Sequence, residues 1–224
     1  MSIVNSPLDP FIALEPHQVA FQQDTGATTI IIEGTADTAT TFTTLSLFND
    51  STGEYINFLS TALADAGLGL RGTAFTNMFG SLNPVWTTTM KTGAAAADIT
   101  SIRLWAGMCA SNPVGLDAPG TIQLACFKYS TVTDTAFWRA VTCDGATTTT
   151  TVTTSAIAAD TRYVFLIDWS NPSRIDFWIN DICVASHTTN LPAAATLLGW
   201  ITEGSTVAAS ARNIRWRRTA FLRK

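Results

Sequence analysis

Residues 161–192, TRYVFLIDWSNPSRIDFWINDICVASHTTNLP, constrain the fold more tightly than any other stretch of this chain. Tyr163, Phe165 and Ile167 alternate with Val164, Leu166 and Asp168, and Ile175, Phe177 and Ile179 alternate with Asp176, Trp178 and Asn180. Such period-two alternation is the pattern of a strand with one face in a core. The runs are separated by Trp169-Ser170-Asn171-Pro172-Ser173 and then by Asn180-Asp181. Asn and Asp tolerate the positive φ that a two-residue hairpin loop demands. Three antiparallel strands joined by two tight turns are expected, the third starting at Ile182.

The same pattern recurs along the chain. Ile102, Leu104 and Ala106 oppose Arg103 and Trp105, and Ile122, Leu124 and Cys126 oppose Gln123, Ala125 and Phe127. Residues 136–142 continue it before Asp144-Gly145, a strong hairpin turn. The Thr-rich run 147–154 reads as a strand of weakly specified register, since both its faces look alike. Residues 197–202 and 213–221 supply the last strands, and no helix of ordinary length is convincing. The expected fold class is all-β, an antiparallel two-sheet β-sandwich or jelly roll. Hydrophobic residues make up 46% of the 224 and charged residues 13%, which argues against disorder and supplies a core without cross-links.

Pro7, Pro10 and Pro16 exclude a helix or a central strand near the start. Residues 1–24 are therefore expected to form an extended arm and residues 25–224 a single sandwich domain. Phe11, Ile12, Leu14 and Phe21 are the candidate arm contacts. The arm lies either along a neighbouring surface or as an edge strand of its own domain.

A net charge of −4 argues against nucleic acid as a partner, despite a basic C-terminal run from Arg212 to Lys224. No secretory leader is visible at the N-terminus, and no apolar run approaches the ~20 residues that cross a bilayer. Synthesis in the cytoplasm and no membrane partner are expected. The four cysteines form no CxxC pair, and His17 and His187 lie far from any ligand cluster. Buried free thiols are expected, with a disulfide left open, and no cofactor.

The runs IRLWAGM, IQLACFKYST, TDTAFWRAVTCDG and RIDFWINDICVASHTTNLP together resemble the concanavalin A-like lectin/glucanase sandwich, in the version found in structural proteins of tailed bacteriophages. Phe177, Ile179, Asn180, His187, Asn190, Leu191 and Pro192 carry the match, which extends over residues 102–216. The resemblance implies the sandwich fold and, as an expectation, a virion location. Glucanases of that superfamily place paired carboxylates on one strand at short spacing. The glutamates here, Glu15, Glu33, Glu54 and Glu203, have no such ladder beyond Glu33 with Asp37 in a turn-like segment, so no enzymatic activity is expected. Asp176, Asn180 and Asp181 are near each other, but a calcium site takes about six or more oxygens and turn formation accounts for Asn180 and Asp181. His187 reads as a satisfied loop histidine.

Trp105, Trp138 and Trp178 each fall opposite the aliphatic set of their own strand. Were those strands neighbours, the three rings would share one face with Arg103 and Asp176. That face reads as a protein contact, a glycan platform or an internal layer. The expected function is a bacteriophage capsid decoration (cement) protein, adhering to capsid or other virion proteins as a homo-oligomeric trimer or dimer. The alternative is a glycan-binding module of a phage tail or fibre.

Overall fold

The computed structural model describes residues 22–23, 30–31, 42–51, 53–71, 78–134 and 136–223. Phe11, Ile12, Leu14 and Phe21, and with them His17, Glu15, Glu33 and Asp37, lie outside the described residues.

The strands in chain order are β1 (Gln22–Gln23), β2 (Ile30–Ile31), β3 (Phe42–Asp50), β4 (Gly53–Ser60), β5 (Gly67–Arg71), β6 (Met78–Phe79), β7 (Pro84–Thr92) and β8 (Ile102–Cys109). They continue as β9 (Leu124–Ser130), β10 (Phe137–Cys143), β11 (Thr148–Ala156), β12 (Arg162–Asn171), β13 (Arg174–Ile179), β14 (Ile182–His187), β15 (Leu197–Thr206) and β16 (Asn213–Arg223). Two antiparallel sheets face each other, as the alternation requires. The first runs β11-β10-β9-β8-β15-β5 with short β6 on β15, and the second runs β14-β13-β12-β7-β16-β4-β3. Short 3₁₀ turns are the helical content among the described residues, and no helix there is long and apolar enough to cross a membrane.

The core lies between the sheets and is strongly aromatic. Phe127 and Trp138 of the first sheet meet Phe165, Phe177 and Tyr163 of the second. Ring centroids lie 4.7 Å apart for Phe127–Phe165, 4.9 Å for Trp138–Phe165 and 5.3 Å for Phe127–Phe177. The last two are edge-on, the arrangement favoured by ring quadrupoles. A second apolar cluster covers the opposite side of the first sheet: Trp105, Cys109, Leu124, Cys126, Val141, Cys143 and Ile201. That sheet is thus buried on both faces over much of its area.

The three-strand prediction holds, with one shift. β12 runs on through Asn171, past a register irregularity between Asp168 and Asn171, and the chain turns at Pro172-Ser173. Trp169, expected in the turn, is a buried core residue instead. Asn180 and Asp181 adopt φ of 50° and 64°, the positive values expected of a tight hairpin.

Where the two sheets meet at one side, β14 packs near β11, and the segment after β14 closes the seam. Thr149 and Thr189 hydroxyls are 3.2 Å apart, and Asn190 Nδ2 donates to Thr149 Oγ1 at 2.9 Å. His187 is not in a loop: it is the last residue of β14 and buried. Its Nδ1 lies 2.9 Å from Thr142 Oγ1 and its Nε2 3.0 Å from Thr151 Oγ1, so it joins the second sheet to the first. The cysteine expectation also needs correcting: Cys109, Cys126 and Cys143 are buried and free, but Cys183 is free and exposed.

Candidate functional site

The first sheet's outer face gathers most of the chemistry. Side chains of one parity point to the core (Leu104, Ala106, Phe127), so their chain neighbours point outward. Antiparallel register then aligns Gly69, Glu203, Trp105, Lys128 and Arg139 in one row across β5, β15, β8, β9 and β10. The flanking rows carry Arg71, Ile201, Gly107, Cys126 and Val141 on one side and Ser205, Arg103 and Ser130 on the other. Gly107 and Gly69 are glycines for a reason of space. A Cβ on Gly69, whose φ is +118°, would stand 2.0 Å from the Thr202 carbonyl oxygen.

Trp105, Lys128 and Glu203 are buried, and buried charge is tolerated when paired. Arg103 grips Asp117 through two parallel bonds: Nε donates to Oδ1 at 2.9 Å and Nη2 to Oδ2 at 3.0 Å. This planar fork-to-carboxylate geometry is the strong form of an ion pair. Ser130 Oγ donates to the same carboxylate at 2.5 Å. The Arg103 guanidinium, with help from Ser130, holds the Asp117 carboxyl below the usual carboxylate range, against the opposing effect of burial. Lys128 Nζ lies 3.2 Å from Asp134 Oδ2 and 5.8 Å from the Trp105 ring centroid. Arg139 Nε is 3.4 Å from Asp134 Oδ1, so one carboxylate serves two cations. Arg71 Nη1 stands 3.7 Å from Glu203 Oε2. Burial pushes the Cys109 thiol far up, which makes it a poor nucleophile.

Residues 110–123 pass over this face. Trp105 Nε1 donates to the Leu116 carbonyl at 3.2 Å, and Val114 and Ile122 pack on the apolar cluster below. Gly115 and Gly120, at φ of +89° and +60°, bracket the part that carries Leu116 and Asp117.

The five residues expected to share a face are divided among three places. Arg103 and Trp105 stand together on the outer face just described. Trp138 is turned inward to the core, because Val141 and Cys143, which look like the core set of β10, pack outward into the second cluster. Asp176 and Trp178 lie on β13 in the other sheet, both half-buried on its outer side. There Asp176 accepts from Arg174 Nε at 3.0 Å, and Trp178 sits in register with Leu166. The sequence pattern did not single out Lys128, Arg139, Asp117 or Asp134, and Glu203 was set aside because no acidic partner stands beside it on its strand. The usable signal was parity: Arg103 with Trp105, and Cys126 with Lys128, each two residues apart on a strand. Among the described residues, no group of three or more His, Cys, Asp or Glu is placed to hold a metal ion.

No family model matches the sequence, and no curated protein matches it. Solved structures do match the fold. An endo-β-1,4-glucuronan lyase from the fungus Trichoderma reesei superposes with a TM-score of 0.56 at 9% identity, over 81% of this chain and 87% of that one. A Bacillus licheniformis β-glucanase gives 0.52 at 12% identity, over 80% and 82% of the two chains. An alginate lyase gives 0.52 at 10% identity, over 79% and 77%. At these identities the likeness is one of fold, and the chain has the jelly-roll, concanavalin A-like sandwich that those proteins share.

These matches overturn one expectation. The absence of enzymatic activity was inferred from the lack of a carboxylate ladder on a single strand. Three proteins of the same fold are, by name, polysaccharide lyases or a glucanase. In this chain acidic groups reach one face from separate segments, with Glu203 on β15 and Asp117 and Asp134 in connections. A one-strand search does not register that assembly, and the exclusion of catalysis is withdrawn.

Proposed function

We propose that this chain engages a polysaccharide on the outer face of its first sheet, centred on the row Glu203, Trp105, Lys128 and Arg139. One observation carries the reading. An indole, two cations and a carboxylate stand side by side at one register level across four strands, held by rigid backbone. An indole face stacks on the apolar face of a sugar ring, and charged groups at fixed spacing bind its hydroxyls and acid groups. Support comes also from the sandwich shared with a glucuronan lyase, a β-glucanase and an alginate lyase.

The test is a panel of neutral and acidic polysaccharides immobilised in native gels. Retardation of the wild-type chain, relieved in Lys128→Ala and Arg139→Ala variants with unchanged circular dichroism, supports the reading. Reducing ends and unsaturated ends are read in the same incubations, so that binding and cleavage are scored together. Unretarded migration on every polymer refutes it.

A second reading is adhesion to virion proteins as a capsid decoration protein, and with it a virion location and an oligomer. The resemblance of the segment ending His187 to Pro192 favours it. In the alternative form, the glycan face sits on a phage tail or fibre and meets the host envelope. Sedimentation with and without purified capsids tests it: a monomer that leaves capsids unbound removes the decoration role.

A further inference from the structure

Trp105 and Lys128 are buried, so a polymer reaches them when something covering them moves. Among the described residues, the segment over Trp105 is residues 110–123. The polar hold on Leu116 and Asp117 is the Arg103–Asp117 ion pair, the Ser130 hydroxyl on the same carboxylate, and the Trp105 indole bond to the Leu116 carbonyl. Toward the far end Pro119 is buried and the Gly120 carbonyl accepts from Cys143 Sγ at 3.7 Å, which anchors the strap there. Both flanking glycines have positive φ, and a Cβ built on either meets nothing within 4 Å. Open space thus lies beside each of the two Cα atoms, and glycine crosses between φ basins at little steric cost.

What the strap presents to Arg103 is a carboxylate. A guanidinium held at 14% side-chain exposure, with both its edges on Asp117 and Asp65, is a ready-made receptor for a planar anion. Building on the polysaccharide reading above, we infer that residues 115–120 are a displaceable strap, with Asp117 occupying the position that a uronate carboxylate of an acidic polysaccharide takes. The incoming carboxylate replaces Asp117 on Arg103 and Ser130. The strap swings about Gly115 and Gly120, Leu116 leaves the indole, and Trp105 opens to the sugar ring. A neutral glycan has no group to compete with Asp117. The strap therefore selects acidic over neutral polymers through the cost of opening.

The experiment uses an oligoglucuronate and a neutral β-glucan oligosaccharide on the full chain, with calorimetric titration and amide hydrogen exchange. Asp117→Ala removes the competitor and leaves Arg103 with Asp65 alone, on one edge. The oligoglucuronate should bind this variant about tenfold more tightly than wild type, the factor by which a site closed in about nine-tenths of molecules weakens apparent affinity. Arg103→Ala should lose the preference for the acidic over the neutral oligosaccharide. In the wild-type chain, which needs no variant to fold, exchange at residues 114–120 should rise when oligoglucuronate is added. Slower exchange there, or equal oligoglucuronate affinity of wild type and Asp117→Ala, overturns the strap while leaving the polysaccharide reading in place. Absence of binding by any oligosaccharide to wild type or variant overturns both.

Discussion

His187 joins the two sheets through a neutral ring, and this makes stability depend on pH in a calculable way. The ring is buried with its two nitrogens against Thr142 and Thr151, and the Phe177 ring centroid is 5.1 Å away. Burial lowers its proton affinity below that of an ordinary histidine. The hydroxyls could accept from a charged ring as well as from a neutral one, so the cost of protonation is desolvation rather than a lost bond. A base whose folded pKa lies below its unfolded value of about 6.5 contributes stability that is complete above that value. The contribution is lost as pH falls toward the lowered folded value, because the unfolded chain takes up the proton first. For one proton the loss between pH 7.5 and 5.5 reaches up to about 1.4 kcal/mol. His187→Gln removes the titration and breaks at least one of two hydrogen bonds, costing about 1–3 kcal/mol at pH 7.5. Urea unfolding followed by tryptophan fluorescence at both pH values measures this, with His17 common to both proteins. The wild type should lose more stability than the variant between the two pH values, so the gap between them narrows in acid. Parallel profiles, or a variant as stable as wild type at pH 7.5, would mean that His187 does not join the sheets as a neutral ring.

Gly69→Ala should cost more than about 3 kcal/mol or abolish folding, since it combines a left-handed φ with a backbone clash against Thr202; thermal denaturation of the soluble fraction reads it. Asp181→Gly should stabilise by about 0.5–1 kcal/mol, because φ of 64° at that hairpin position suits glycine better than aspartate, and chemical denaturation resolves a change of that size. An aromatic disulfide reagent should titrate one thiol, Cys183, in the native protein and the remaining three after guanidinium is added. Two or more fast thiols would contradict the burial of Cys109, Cys126 and Cys143.

Faces along a single strand were legible in the sequence; the meeting of strands was not. Alternation placed Phe165 inward and Val164 outward on β12, a strand with one clearly apolar side in contact with the core. On β8 it placed Leu104 inward and Trp105 outward because Arg103 marks the outer side, although that side too is covered. It failed on β10, where Val141 and Cys143 are buried outside the first sheet while Trp138 is buried inside it. A strand covered on both faces carries no contrast for periodicity to read. Nor does alternation say which sheet a strand joins. Trp105 and Trp178 were grouped by parity, and long-range pairing sent β8 and β13 to different sheets. The short strand β5, GLGLR, was not anticipated, because glycines give alternation little to read. Gly69 is there since β15 passes too close for a side chain. The charged pairs of the site unite strand residues with Asp117 and Asp134 from connections, a closeness no local spacing encodes.

If the outer face of the first sheet receives an acidic polysaccharide, the chain's tryptophans should report the binding. The decisive measurement is a titration of the 224-residue chain with oligoglucuronate, followed by the fluorescence of those tryptophans. Saturable binding that Lys128→Ala weakens and Asp117→Ala strengthens is the predicted result. Binding unchanged in both variants, or carried instead by Trp178 on the opposite sheet, would contradict it.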